Sequence, residues 1–212
     1  MTLDSGMFTT PDGVTRCAWC RATPEYMQYH DDEWGFPVRD DDRRLFEKLS
    51  LEGFQAGLSG LTILRKREGF RKAFANFEAD RVARFTPTRV ERLLQDPGII
   101  RHRGKIEATI SNAGRVADLV DEFGSLTDYV WRFEPAPASR PARLTWDVLR
   151  TMGATPASVA LSKDLKQRGW RFVGPTTVYA FMQAMGLVND HLDGCAMRSV
   201  VEKQRKNQQR EE

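Results

Sequence analysis

The sequence Asn-Asp-His-Leu-Asp-Gly-Cys occupies residues 189–195, so a histidine and a cysteine lie four positions apart near the end of the chain. A second group of the same residue types lies near the beginning. The two groups hold five of the six cysteine and histidine residues in the 212-residue chain: Cys17, Cys20, His30, His191 and Cys195. Thiolates and imidazoles are the ligands that Zn²⁺ prefers, and four of them complete a tetrahedral site. The pattern predicts a structural zinc site that joins the two ends of the fold.

Spacing alone leaves the identity of the fourth ligand open. Cys17 and Cys20 compete for the place, and the Cys-x-x-Cys spacing by itself favours a site that uses both. The alternative is that the cysteines are small buried apolar side chains and that the histidines lie on the surface. An odd number of cysteines, three in all, argues against a secreted disulfide scaffold.

Length and composition are those of an ordinary globular protein. The chain is 41% hydrophobic and 29% charged, and 212 residues leave room for one domain or for two closely packed lobes. No apolar run reaches membrane-spanning length, and no signal peptide precedes the first motif, so we expect a cytoplasmic protein without a membrane partner. The net charge of +3 permits nucleic-acid binding without requiring it.

Helical spacing recurs along the chain and predicts an all-α fold of about eight or nine short helices. The clearest case is one face of a long helix formed by Ile106, Ile110, Ala113, Ala117 and Val120. We predict a polar tail over residues 1–13, a single domain over 14–200 and a second polar tail over 201–212.

A capping-box pattern marks the start of another predicted helix. Thr88 and Glu91 have the Ser/Thr-x-x-Glu spacing and lie just ahead of Leu93 and Leu94. The predicted helix therefore begins at about Thr88.

Five motifs carry a resemblance that covers most of the chain. They read Arg-Cys-Ala-Trp at 16–19, Tyr-His-Asp-Asp-Glu-Trp-Gly at 29–35, Leu-Glu-Gly-Phe-Gln-Ala-Gly-Leu-Ser at 51–59, Gly-Ile-Ile-Arg-His-Arg-Gly-Lys-Ile at 98–106 and Gly-Leu-Val-Asn-Asp-His at 186–191. From about Arg16 to Cys195 the chain closely resembles the 3-methyladenine DNA glycosylase I family.

The resemblance implies a fold, an activity and partners. The family is a zinc-containing branch of the helix-hairpin-helix DNA glycosylases. Its members hydrolyse the N-glycosidic bond of 3-methyladenine in double-stranded alkylated DNA, the first step of base excision repair, after rotating the nucleotide out of the duplex. We accordingly expect a monofunctional enzyme, a monomer, and no nucleotide cofactor.

The resemblance also assigns site residues. It selects Cys17, His30, His191 and Cys195 as the zinc ligands, which leaves Cys20 as a spare thiol. It makes Glu52 the catalytic carboxylate and has Glu52 and Tyr29 contact the extruded base, with Tyr26 and Trp34 in motif positions nearby. We therefore expect Tyr26, Tyr29 and Trp34 to bind the substrate. From the residues alone, an exposed Glu52 and aromatic side chains that only pack in the core are the competing interpretations.

DNA binding is assigned to residues 96–105, where a Pro-Gly turn precedes a helix that we predict to start at Gly104. Backbone N–H groups at such a turn hold phosphate oxygens, and basic side chains add charge. The predicted contacts are Gly98, Arg101, Arg103, Gly104 and Lys105, with Leu58 as a wedge that fills the gap left by the flipped base. A solvated basic turn, and core packing of Leu58, are the alternatives.

One position departs from the family pattern. The family has Leu-Ser-Trp where this chain has Leu58-Ser59-Gly60, and the missing tryptophan stacks on the base. Losing one base–aromatic stack costs roughly 1–3 kcal/mol. Trp34 or Phe54 could compensate; the alternative hypothesis is a non-catalytic or altered-specificity protein that binds alkylation damage on the same scaffold.

Overall fold

The computed structural model describes residues 5–208, and helices dominate it, which confirms the all-α prediction. The described residues form eleven α-helices. Their bounds are α1 Pro24–Asp32, α2 Asp42–Gln55, α3 Gly60–Ala73, α4 Ala79–Val82, α5 Pro87–Leu93, α6 Arg103–Phe123, α7 Leu126–Trp131, α8 Trp146–Leu149, α9 Pro156–Gln167, α10 Pro175–Ala184 and α11 Ala196–Gln208. None of them, within residues 5–208, combines the length and apolar character that a membrane-spanning helix needs.

The segment predicted as an N-terminal tail contains the first strand of a short hairpin. Strand β1 (Met7–Thr9) pairs antiparallel with β2 (Thr15–Cys17), and Met7 lies opposite Cys17. The turn contains Gly13 in the left-handed region at φ 83°, a conformation that glycine adopts without a steric penalty. The first part of that predicted tail, residues 1–4, lies outside the described residues.

The segment predicted as a C-terminal tail is helical as far as the structure describes it. Helix α11 continues through Gln208, and Val201 is fully buried, which anchors it. Residues 209–212 of this predicted tail lie outside the described part of the chain.

The chain divides into two compact units, each built from separate stretches of sequence. Unit 1 comprises Met1–Pro37, Glu134–Thr155 and Met182–Glu212, and unit 2 comprises Val38–Phe133 and Pro156–Phe181. In unit 1, Cys17, Leu144, Leu192 and Cys195 form a buried cluster. In unit 2 the core is rich in phenylalanine: Phe54 packs against Phe70 with ring centroids 4.6 Å apart.

Helix α6 buries only part of the predicted face, of which Ile106 and Ala113 are buried. Its buried residues are Lys105, Ile106, Ala108, Thr109, Asn112, Ala113, Val116 and Leu119, whereas Ala117 is exposed and Val120 is 37% exposed. The hydrophobic spacing is misleading because Asn112 takes a place in the buried stripe. Its side-chain amide donates to the Arg171 carbonyl and its oxygen accepts from the Arg171 N–H, both at 2.9 Å.

Helix α5 begins at Pro87, and the predicted capping box at Thr88 is wrong. The cap is Thr86, whose hydroxyl accepts from the Arg89 N–H at 3.3 Å. Proline at the first helical position explains the shift, because its fixed φ suits that position and it has no N–H to satisfy.

Candidate metal centre and base-site residues

Four side chains of unit 1 converge on one buried point. Cys17 ends β2, His30 lies in α1, and His191 and Cys195 flank the turn before α11. All four are buried, and their potential ligand atoms lie within 4.8 Å of one another. His191 Nδ1 is 3.1 Å from His30 Nε2, and Cys195 Sγ is 3.5 Å from that same His30 nitrogen. This buried group is therefore able to hold a metal ion.

The outer nitrogen of each histidine is fixed by a hydrogen-bond acceptor. His30 Nδ1 lies 2.7 Å from Asp31 Oδ1, and His191 Nε2 lies 3.0 Å from the Trp34 carbonyl oxygen. Asp31 is held in turn by Arg16 at 2.8 Å. Burial alone would raise the pKa of Asp31, but the hydrogen bonds from Arg16 and His30 hold this pKa below its ordinary value. Such partners fix the tautomer of a metal-binding imidazole and aim its other nitrogen inward.

The structure separates the two N-terminal cysteines. Cys20 is buried outside the group, and its thiol donates to the Cys17 carbonyl at 3.1 Å. Burial raises the pKa of Cys20 to about 12, so it stays a thiol. In contrast, the hydrogen bond from the Cys17 thiol lowers the pKa of Cys195 and favours its thiolate.

The aromatic residues predicted at the base lie in unit 1 beside the metal group. Tyr26 and Tyr29 lie three positions apart on α1, which puts them on one face, and their rings stack with centroids 6.3 Å apart. Trp34 packs edge-on against His191 at 4.8 Å. Both tyrosines and Trp34 are partly exposed.

Trp19 holds this aromatic cluster together, and the sequence analysis does not assign it to the site. Its ring centroid lies 4.8 Å from that of Tyr26, 6.3 Å from that of Tyr29 and 5.1 Å from that of Trp34. Its place two residues after Cys17, within the motif at 16–19, is the signal that could have identified it.

Glu52 lies on the buried side of α2 in unit 2. Its residue is 5% exposed, and Lys48, one turn earlier, places Nζ 2.7 Å from its carboxylate. The competing interpretation of an exposed glutamate on the outer face of the helix is therefore wrong. Glu47, also buried on α2, has a different partner, because Arg71 Nε donates to it at 2.9 Å.

Leu58 and Gly60 lie at the start of α3. Leu58 is 43% exposed, so it is not a core residue. Ser59 caps the helix by accepting from the Thr62 N–H, and Gly60 is the first helical residue. Phe54 is buried within the core of unit 2, so it is not available to stack on a base in place of the missing tryptophan.

The turn predicted to bind DNA joins α5 to α6. Helix α6 begins at Arg103, one residue before the predicted start, and His102 caps it by accepting from the Lys105 N–H at 3.2 Å. The Gly98 N–H donates to Asp96 Oδ1 at 2.7 Å. Gly98 also approaches the backbone of Gly69 so closely that a Cβ on Gly69 would lie 2.3 Å from the Gly98 oxygen.

The three basic side chains of this turn have different environments. Arg101 is exposed. Arg103 donates to Glu91 at 2.7 Å. Lys105 is buried, and its ammonium donates to the carbonyls of Phe54 and Ala56 at 2.9 and 2.7 Å, so it is engaged with the end of α2 rather than directed at a ligand.

Comparison with known proteins identifies the family. The sequence model of the methyladenine glycosylase family matches residues 19–199. The chain is 48% identical to DNA-3-methyladenine glycosylase 1 of Escherichia coli over 182 residues, which is 86% of this chain and 96% of that protein. It is 43% identical to DNA-3-methyladenine glycosylase of Haemophilus influenzae over 189 residues, or 88% and 99% of the two chains.

Solved structures agree. A crystal structure of 3-methyladenine DNA glycosylase I superposes with a TM-score of 0.78 at 49% identity, covering 85% of this chain and 98% of that chain. The Staphylococcus aureus 3-methyladenine DNA glycosylase I, described for its recognition of 3-methyladenine, gives 0.79 at 37% identity and covers 86% and 96%. This chain therefore belongs to the methyladenine glycosylase family.

Proposed function

We propose that this protein is a monofunctional DNA glycosylase that hydrolyses the N-glycosidic bond of 3-methyladenine in alkylated DNA. The observation that carries the proposal is the buried carboxylate of Glu52, which stands in a long family motif on a chain that matches named glycosylases over most of its length. Lys48 offsets part of the cost of burying this carboxylate, and we assign Glu52 rather than the equally buried Glu47 to the reaction because only Glu52 lies within the motif at 51–59.

The chemistry requires electrostatic help more than proton transfer. Methylation at N3 makes adenine cationic and weakens its bond to the sugar. As that bond breaks, its electron pair stays with the base, which becomes neutral, and positive charge develops on the sugar until water adds there and gives up a proton. A fixed carboxylate such as Glu52 stabilises this charge. It also favours the cationic lesion over neutral adenine.

The aromatic cluster provides faces for the extruded base. We assign Tyr26, Tyr29 and Trp34 to contact with the base, and Trp19 to holding their rings in place. Their mutual packing supports this, because aromatic side chains fixed by neighbours bind a flat ligand without losing further rotamer freedom. Stacking of a base on an aromatic ring contributes roughly 1–3 kcal/mol.

Zn²⁺ is the metal that best fits the buried group. Two thiols and two imidazoles are a typical ligand set for structural zinc, and the four ligands that the group supplies would complete a tetrahedral site. The fixed outer nitrogens of His30 and His191 support this proposal. The ion would tie the beginning and end of unit 1 together and would take no part in the reaction.

For DNA binding we propose the helix-hairpin-helix of the family, formed by α5, the turn at 94–102 and α6. Arg101 and the N-terminal end of α6 would hold phosphates. Leu58, exposed at the start of α3, would enter the gap in the duplex. A monomer in the cytoplasm, acting on double-stranded DNA without a nucleotide cofactor, completes the proposal.

Glu52→Gln tests the mechanism. Single-turnover release of 3-methyladenine from methylated DNA, followed by chromatography, should fall about a hundredfold or more. Affinity for a duplex that contains an abasic analogue should change little.

Glu47→Gln is the matched control, because it removes another buried charge from the same helix. It should lower stability but leave excision per folded molecule unchanged. Full excision by the Glu52→Gln enzyme would remove Glu52 from the mechanism.

The glycine at position 60 supports a second candidate, a protein that binds alkylated DNA without excising the base or that accepts other lesions. If position 60 borders the base, Gly60→Trp should raise 3-methyladenine excision or narrow the lesion range. Binding of methylated DNA by the natural protein, without release of any base, would favour this second candidate.

A further inference from the structure

Phe172, in the loop between α9 and α10, combines two unusual features. Its backbone lies in the left-handed region at φ 57°, which is strained for a bulky side chain, and the residue is 41% exposed, whereas the other eleven phenylalanines of the chain are buried or half-buried. Turn geometry does not explain a phenylalanine here, since glycine or asparagine would adopt this backbone at lower cost.

The residues on either side hold Phe172 in this conformation. The Arg171 backbone makes two hydrogen bonds of 2.9 Å with the buried side chain of Asn112. The Val173 carbonyl accepts from the buried hydroxyl of Ser162 at 2.6 Å. With both neighbours fixed, the chain cannot relax at Phe172. Strain maintained in this way concentrates at functional sites.

Phe172 lies between two parts of unit 2 that the proposed function uses. Its backbone oxygen and Cβ lie against Gly53, the residue after Glu52, where an added Cβ would lie 3.3 Å from that oxygen. Its ring meets the ring of His102, the cap of α6, with centroids 6.1 Å apart, and its Cζ would lie 3.8 Å from a Cβ at Gly104. The exposed ring therefore adjoins the helix end that we assign to phosphate binding.

We propose that Phe172 is a DNA-contacting residue whose ring packs against the sugar and base of the nucleotide held at the N-terminal end of α6. This inference rests on the proposed DNA glycosylase function. A nucleotide is the occupant that fits, because the ring offers an apolar face while the adjacent helix end and Arg101 offer N–H groups and positive charge to a phosphate.

The test compares Phe172→Ala, Phe172→Trp and Val159→Ala for binding to a duplex with an abasic analogue. Loss of one stacking contact should weaken DNA binding by Phe172→Ala roughly ten- to a hundredfold. Phe172→Trp keeps an aromatic ring and should bind as tightly as the natural protein. Val159, 47% exposed on α9 in the same unit, is the matched control and should bind as the natural protein does. Natural affinity in Phe172→Ala would overturn the proposal.

Thermal unfolding separates strain from contact. Phe172→Gly and Phe172→Ala lose the same ring, but only glycine relieves the left-handed backbone, so the glycine variant should melt about 2–4 °C higher and bind DNA equally weakly. Equal melting temperatures of the two variants would contradict the conclusion that the backbone at Phe172 is strained. If the natural protein releases no base but Phe172→Ala still weakens duplex binding, the glycosylase function fails and the DNA contact stands.

Discussion

Lys105 holds the C-terminal end of α2, the helix that carries Glu52. The last carbonyls of a helix lack partners within the helix, and the Lys105 ammonium bonds two carbonyls there, those of Phe54 and Ala56. Burial lowers the pKa of this ammonium. The sequence assigns Lys105 to phosphate binding, but its ammonium has a structural partner 51 residues away in the chain. A long-range contact of this kind leaves no local sequence pattern from which it could be predicted.

Lys105→Met should consequently change the stability of the protein, and Arg101→Ala should change its binding to DNA. Lys105→Met should reduce the free energy of unfolding by about 1–3 kcal/mol, because two carbonyls lose their donor, and should leave the salt dependence of DNA binding unchanged. Arg101→Ala should leave stability unchanged and reduce the slope of log affinity against log salt by about one. Denaturant unfolding and salt titrations of duplex binding measure both. A reduced salt slope in Lys105→Met would return Lys105 to the DNA interface.

At the scale of elements, the sequence predicts helices more reliably than their ends and faces. The start of α5 can be tested directly, because Thr86 and Thr88 are both exposed threonines and only Thr86 caps the helix. Thr86→Ala should cost about 1 kcal/mol and lower the melting temperature by roughly 2–4 °C. Thr88→Ala should fall within about 0.5 kcal/mol of the natural protein. The reverse order would show that the capping box at Thr88 operates in solution.

The face of α6 and the hairpin of β1 and β2 show why the remaining detail escapes sequence reading. Periodicity marks Val120 as buried, yet the stripe is set by Asn112, whose polarity is satisfied by a backbone partner in another segment. Strand β1 has three residues, which is too few for an alternation of apolar and polar side chains to be recognised in the sequence. In contrast, the metal group could be predicted, because Cys and His are so rare in this chain that their clustering is itself a signal.

At the scale of the whole molecule, the proposed zinc ion should stabilise one of the two units. All four candidate ligands belong to unit 1, which is assembled from three separate stretches of chain. A closed four-ligand site contributes its binding free energy to folding. Removing the metal should therefore loosen these three stretches before it affects unit 2, a division that an ion acting in catalysis would not produce.

Hydrogen exchange after chelation measures this division. The natural protein should contain one Zn²⁺ per chain, and on its removal amide exchange should rise first in the described parts of unit 1. Cys17→Ser should lose the metal, whereas Cys20→Ser, which retains a donor for the Cys17 carbonyl, should keep it. Metal loss in Cys20→Ser would show that the Cys-x-x-Cys pair forms the site after all. A structural site cannot be emptied without destabilising the fold around it. Unchanged amide exchange in unit 1 of the chelated protein would therefore show that a bound ion does not hold the ends of the chain.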